Sequence, residues 1–412
     1  MVIPSASTLA FVESPVQLLN VLEWAHARRA DDGTTRADDG TARAAAGRLL
    51  DGVPSQPGRS AARGTAGDRA AGGAGGSRTL PGSGASGPQA PTIVVLPPTD
   101  PMSRGQLRRV AGLARDEGYT VHWQEARGGA GAPFKALAAL AADVRRAERI
   151  VVGDPFSRFV QLLLAPARAA ELVVVDDGTA TMEFVAQLGR GERLRRWHRT
   201  GSGAGARVRE LAYAPVSGTA RRRLTPGGDR RRVEVFTSMP VTPLPGMEVR
   251  LNDFAWTRAR FGPPRLTRGT DLVGTSLVET GVVDPARYRA AVLALTREHG
   301  ATRYFAHRRE SPEKLRELSE ATGLEIVRPD LPLELIARRG PVGRTIVSFP
   351  STVVHTLPYA LIGTGVTVAV CGVDPDWLTA GASPRARGFL AGVTDTARDV
   401  RRLPAQTAPA AG

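Results

Sequence analysis

Short apolar runs recur along this chain of 412 residues, and each gives way to a stretch with helical spacing. "TLAFVES" (8–14), "TIVVLPP" (92–98), "YTVHW" (119–123), "RIVVGD" (149–154) and "ELVVVDDG" (171–178) are the runs of the first half. Most are continuous in apolar residues rather than alternating, the pattern of strands covered on both faces. Between them, "PVQLLNVLEWAHAR" (15–28), 104–117, "PFKALAALAADVRRA" (133–147) and 156–165 repeat apolar positions at the helical period. Pro15 falls in a first helical turn, where a missing N–H costs little. Strands alternating with helices predict α/β architecture with parallel sheets.

A second α/β set is expected to begin at "RRVEVFTS" (231–238). It continues through "TDLVGTSLVETG" (270–281), a helix near 286–299, "TRYFAHRRES" (302–311), a helix at 312–322, "LEIVRP" (324–329), "PLELIAR" (332–338), "RTIVSFPST" (344–352) and "GVTVAVCG" (365–372). Two domains of about 150–200 residues suit the length. The expected division is a first domain over 1–230, a second over 231–403 and a Pro/Ala-rich, frayed tail over 404–412. Residues 31–90 are rich in Gly, Ala, Ser, Arg and Pro and nearly free of large apolar residues, which reads as a disordered insertion. The basic stretch 190–231 reads as irregular. In such folds ligands gather at the carboxyl ends of the strands, so a cleft between two sheets is the expected site.

The formal net charge is +15, and all but Lys135 and Lys314 of the basic residues are arginine. The arginines are scattered, with clusters at 193–199, 220–224 and 227–233, and do not make the aromatic-interleaved basic platform that nucleic-acid binding would require. No nucleic-acid partner is expected. An acidic small molecule, an acidic glycan or the anionic face of a membrane accounts equally well for the charge. One cysteine, Cys371, excludes a disulfide framework and a cysteine-rich metal site. No apolar stretch reaches the ~18–20 residues needed to span a bilayer. The N-terminus lacks a basic n-region and reads as a strand entering a helix. A cytoplasmic protein, with peripheral association at the inner face of the membrane, is the expectation.

Asp176 and Asp177 follow three valines and precede Gly178, at the carboxyl end of a buried strand. Adjacent carboxylates repel, which raises proton affinity and suits a general base; one of the pair could equally cap the following helix. His307 ends another short strand, followed by Arg308, Arg309 and Glu310 and then a helix start, a setting suited to a phosphate-bearing ligand or to a plain basic loop. Ser348, Ser351 and Thr352 lie at a strand-to-helix junction, where hydroxyls and free N–H groups bind anions or cap the helix. Glu334 sits among apolar residues in "LPLELIA", as a ribose acceptor or a solvated helix charge. Gly274, in "VGTSLVE", opens a weak candidate for a phosphate-side loop. No convincing set of metal ligands is found.

The order Asp-Asp-Gly, His-Arg-Arg-Glu, Leu-Pro-Leu-Glu-Leu, Ser-Phe-Pro-Ser-Thr resembles the bacterial sialyltransferases, in particular the group of lipooligosaccharide sialyltransferases and capsular polysialyltransferases. "ESPVQLLN" and "GTSLVE" are similar to that family's first strand–helix turn and its entry to the second domain. The resemblance covers most of the chain outside 31–90 and the tail. It implies a GT-B fold: two Rossmann-like domains facing across a cleft, the acceptor side first and the nucleotide-sugar side second. It implies an inverting, metal-independent transfer of sialic acid or a related nonulosonic acid from a CMP-activated donor to a glycan hydroxyl, with no cofactor. One of Asp176 and Asp177 would be the base, and His307 would assist departure of cytidine monophosphate. Ser351 and Thr352 would hold the donor's carboxylate or phosphate, and Glu334 the ribose; Gly274, Arg308, Arg309 and Ser348 complete the expected donor side. Arg308 stands where the family commonly has proline. A GT-B transferase with another nucleotide-activated donor fits the same motifs, as does a non-catalytic relative that binds acidic glycans.

Overall fold

The computed structural model describes residues 8–31, 90–129, 131–196, 204–227 and 231–406. The insertion expected at 31–90 and the last residues of the expected tail lie outside the described residues, apart from their flanks. Residues 28–89 cluster as a unit of their own, of which only the end of one helix is described.

The first sheet contains β1 (Thr8–Val12), β2 (Thr92–Val95), β3 (Val121–Trp123), β4 (Arg149–Val152), β5 (Glu171–Val175), β6 (Arg232–Thr237) and β7 (Met247–Leu251) in the order β3-β2-β1-β4-β5-β6-β7. Every pairing is parallel. Its helices are α1 (15–31), α2 (Pro101–Asp116), α3 (Ala132–Arg146), α4 (Arg158–Leu164), α5 (Thr179–Gly189) and α6 (Ala204–Leu224). A short α7 (Ala255–Phe261) leads to the second sheet. That sheet holds β8 (Leu266–Val273), β9 (Ala301–Phe305), β10 (Glu325–Val327), β11 (Val342–Ser348), β12 (Thr367–Cys371) and β13 (Arg401–Leu403), ordered β10-β9-β8-β11-β12-β13 and again all parallel. Between its strands run α8 (Pro285–His299), α9 (Pro312–Thr322), α10 (Leu333–Arg339), α11 (Val353–Ala360) and α12 (Pro384–Thr396).

The valine runs behave as two-faced strands. Leu172 and Val174 join one core cluster with Leu9, Phe11, Ile150 and Val152, while Val173 and Val175 join another with Ala10, Val12 and Val151. The two-residue side-chain period thus feeds one apolar strand into two cores. Both sheets have the doubly wound order that reverses beside the first strand, which opens a crevice there.

Two expectations are corrected. The second α/β set begins at β8, not at 231: β6 and β7 pair into the first sheet, because "RRVEVFTS" is parallel to β5 and its inward residues complete that core. The stretch 190–231 is not irregular throughout, since α6 occupies Ala204–Leu224. Its apolar positions form no clean stripe and Pro215 interrupts it, so periodicity did not mark it. The expected tail begins past β13, which pairs with β12 and extends the second sheet through Leu403. Among the described residues no helix is long and apolar enough to cross a membrane.

The link between sheets is clasped by one carboxylate. Glu23 on α1 is 1% exposed and accepts from the backbone N–H of Trp256 (2.8 Å) and Thr257 (2.9 Å) and from the Thr257 hydroxyl (2.5 Å). These are orphan donors at the start of α7. Leu331, Leu335 and Ala360 from the second half join Trp256 and Phe254 in a core of the first sheet, so the clasp fixes more than a turn. Glu23→Ala is expected to cost about 1–3 kcal/mol in urea unfolding, and Glu23→Gln less, because an amide oxygen still accepts.

Candidate functional site

Four neighbouring strands of the first sheet release polar residues at their carboxyl ends: Glu13 after β1, Asp154 after β4, Asp176 and Asp177 after β5, and Ser238 after β6. Glu13, Asp154 and Asp177 meet the loop after β9 around a cavity of about 950 Å³, at the upper end of ligand sites of about 300–1,000 Å³. Glu13, Gln17, Asp154, Asp177 and Arg196 line it from the first half, and Arg308 and Arg309 from the second.

The two aspartates have different jobs. Asp176 is 2% exposed, and its carboxylate accepts from the backbone N–H of Gly178 (2.9 Å) and Ser238 (3.3 Å). Its backbone carbonyl accepts from Asn20 Nδ2 at 2.8 Å. Asp177 donates its backbone N–H to Thr181 Oγ1 (2.8 Å) and sends its carboxylate into the cavity. Burial raises the proton affinity of both: Asp176 to about 6 and Asp177 to about 7. For Asp177 the nearby Asp154 pushes in the same direction, against Arg196 and a hydrogen bond from Gln17. Of the pair, only Asp177 lines the cavity, as a general base must.

Gly178 makes this turn possible. Its φ of 65° and ψ of −126° belong to glycine, and an added Cβ would lie 2.9 Å from Thr352 Cγ2. The Asp-Asp-Gly loop of one sheet therefore packs against the Ser-Thr loop of the other. Ser351 and Thr352 are half-buried at the start of α11, where Thr352 is the N-cap residue without a side-chain cap bond. Ser348 is 1% exposed; its hydroxyl donates to the Phe349 carbonyl (2.8 Å) and lies 3.1 Å from Ser351 Oγ.

His307 accepts the Arg309 backbone N–H on Nδ1 (3.2 Å), which leaves its proton on Nε2. Burial, and then Arg308, Arg309 and Lys314, push its pKa down to about 4, so the ring is a neutral donor at pH 7. The loop is held from below: Glu310 accepts the His307 backbone N–H (2.6 Å) and the Tyr304 hydroxyl (2.6 Å) and pairs with Lys314 (2.8 Å). Gly274 makes room for this post, since a Cβ there would sit 2.7 Å from Tyr304 Oη and overlap Glu310. Gly274 thus supports the His307 loop and is not part of the cavity wall. Glu334, also off the wall, is 6% exposed on α10 and accepts the Thr356 hydroxyl at 2.6 Å. Burial holds its pKa above the usual carboxylate range.

Of the residues singled out in the sequence, Asp177, Arg308 and Arg309 line the cavity; His307, Ser348, Ser351 and Thr352 are not on its wall, although Thr352 touches the turn beside it. Sequence reasoning missed Asp154, Arg196, Gln17 and the Glu13–Arg127 pair (2.6 Å). A signal for Asp154 was present, because "RIVVGD" ends in an acid like its neighbour "LVVVDD". The cavity wall carries four carboxylates and seven arginines. Arg308 and Arg309 form no ion pair among the described residues; burial, and then repulsion from Arg309, lower the Arg308 pKa, with Asp177 and Asp100 pulling the other way. Among the described residues no group of three or more His, Cys, Asp and Glu is arranged to hold a metal ion.

No family model and no curated protein matches the chain. Among solved structures it is similar to the crystal structure of an alpha/beta-galactoside alpha-2,3-sialyltransferase from a luminous marine bacterium, Photobacterium phosphoreum, with a TM-score of 0.41 and 8% identity over 76% of this chain and 92% of that one. It is also similar to a doubly substituted Os79 from O. sativa in complex with UDP, with a TM-score of 0.32 and 14% identity over 75% and 89%. Likeness this slight leaves the functional reading to the residues themselves.

Two outcomes are expected. Gly178→Ala should cost roughly 1–3 kcal/mol in urea unfolding, from a disfavoured backbone angle and contact with Thr352. Asp177 holds a proton in the folded state up to about pH 7, whereas its ordinary value is 3.8. Folding therefore takes up a proton in that window, and stability falls as pH rises through it. The stability of Asp177→Asn minus that of the unsubstituted protein should grow from about pH 4 to pH 7; a flat difference would contradict the burial of that charge.

Proposed function

We propose that this protein is a GT-B glycosyltransferase that moves a nonulosonic acid of the sialic acid type from a CMP-activated donor to a glycan hydroxyl, with inversion and without a metal. The observation that carries the reading is one cavity lined by a carboxylate of raised proton affinity and by two arginines that form no ion pair among the described residues. A base must lose its charge as it takes a proton, while the donor's phosphate and carboxylate need cations; the cavity wall carries both kinds of group. Asp177 takes the acceptor's hydroxyl proton. The oxygen's electron pair forms the new bond to the anomeric carbon, and the bond to phosphate breaks with its electrons on the leaving cytidine monophosphate. Arg308, Arg309 and the Nε2–H of His307 stabilise that phosphate. Ser351 and Thr352, at the start of α11, receive the donor's remaining anionic group. The sequence-level resemblance to bacterial sialyltransferases supports the same roles.

Another nucleotide-activated donor is the second reading. It is favoured by Glu334, the expected ribose acceptor, whose carboxylate is spent on Thr356 away from the cavity wall.

Thermal unfolding with cytidine, uridine, guanosine and adenosine monophosphates separates these readings, because a ligand of the folded state raises its stability by mass action. Cytidine monophosphate is expected to give the largest rise, reduced in His307→Ala. Preference for another nucleotide would replace the donor, and no rise with any would remove the transferase reading. Asp177→Asn should keep the rise yet lose about 10²–10⁴-fold in transfer.

A further inference from the structure

Arg196 places a single nitrogen, Nη2, 2.7 Å from Asp154 Oδ2 and 3.2 Å from Asp177 Oδ2. Asp154 is 5% exposed, and its other oxygen is fixed by the Phe156 backbone N–H at 2.9 Å. Two carboxylates share one guanidinium, so with both ionised the trio carries one negative charge in excess. The Asp154 and Asp177 side chains are 7% and 18% exposed, so the excess is partly shielded from water, and shielded charges interact more strongly.

We propose that Asp154 and Arg196 are positioning residues that set the pH at which Asp177 takes up a proton, by holding it between one like and one opposite charge. The inference rests on reading Asp177 as the base. When Asp177 receives the acceptor proton, the excess charge disappears. Asp154 then keeps Arg196 paired, so no cation is orphaned by the transfer. Asp154 alone would make Asp177 a stronger base, and Arg196 alone a weaker one. Their balance sets the working value.

Other groups face Asp177 too. Asp176 adjoins it in sequence, Gln17 on α1 donates to its carboxylate, Thr181 on α5 holds its backbone N–H, and Arg308 acts from the loop after β9. Arg308 also feels Asp100, but among the described residues it makes no ion pair with either carboxylate, whereas Arg196 is hydrogen-bonded to both Asp154 and Asp177. The pair Asp154–Arg196 therefore makes a distinctive prediction: its two halves act with opposite sign.

The test follows the carboxyl ¹³C resonance of Asp177 against pH in protein labelled at aspartate, assigned by its absence in Asp177→Asn. Asp154→Asn keeps an oxygen for the Phe156 N–H and removes the like charge. Its Asp177 midpoint should fall by roughly one unit or more. Arg196→Gln should raise the midpoint by a similar amount, Arg196→Lys should keep it near that of the unsubstituted protein, and the double variant should return toward it. The acidic limb of kcat/KM should move with the same signs. Shifts in one common direction, or none, would overturn the proposal. The titration needs no substrate, so opposite shifts in a protein that transfers nothing would uphold the electrostatic pairing and reject the catalytic role of Asp177. Transfer with an unmoved titration would uphold that role and reject the pairing.

Discussion

The carboxylate of Asp176, taken out of water at the end of β5, is the constraint on which the site depends. A buried charge without partners is costly, so the chain must bring donors to it. They come from the turn itself, through Gly178, and from the neighbouring strand end, through Ser238. The Asp176 carbonyl is held by Asn20, which in turn accepts from Asn252 at 2.9 Å. Asn252 is fully buried and caps the turn into α7 through the Phe254 N–H at 3.1 Å. One polar chain thus runs from the loop that carries Asp177 to the crossing between sheets. With that loop fixed, Asp177 has one direction left, into the cavity.

This explains why two aspartates stand side by side in "VVVDDG". Adjacent residues of a strand point to opposite sides. At the strand's end the first is drawn into the hydrogen-bonded floor and the second emerges on the cavity wall. Gly178 then turns the chain within contact of Thr352. The cations divide in the same way. Arg127 and Arg196 are spent on carboxylates of the first sheet, whereas Arg308 and Arg309 come from the second without ion pairs among the described residues.

The α/β alternation was legible because valine and leucine runs have no other stable place than a two-faced strand. The strand order was not: β6 and β7 look in sequence like the opening of a second domain, and only pairing with β5 shows otherwise. The same limit hid Asp154 and Arg196. They are far from Asp177 in sequence terms, 23 and 19 residues, and become neighbours because β4 lies beside β5 and the chain after α5 folds back over both. Sequence motifs mark where single residues sit at strand ends, as for His307 and Thr352. They do not tell a cavity residue from a supporting one, and Gly274 shows why: its lack of a side chain serves Tyr304 and Glu310, not a phosphate.

In the proposed reaction Asp177, Arg308 and Arg309 break the bond between an acidic sugar and cytidine monophosphate. ³¹P NMR of a CMP-activated nonulosonic acid incubated with the purified protein and a mixture of glycan acceptors, in the presence of a chelator, follows that bond. Conversion of the phosphodiester signal to that of cytidine monophosphate is expected, with an anomerically inverted product, and neither in Asp177→Asn. An unchanged phosphodiester signal, or equal conversion by Asp177→Asn, would contradict it.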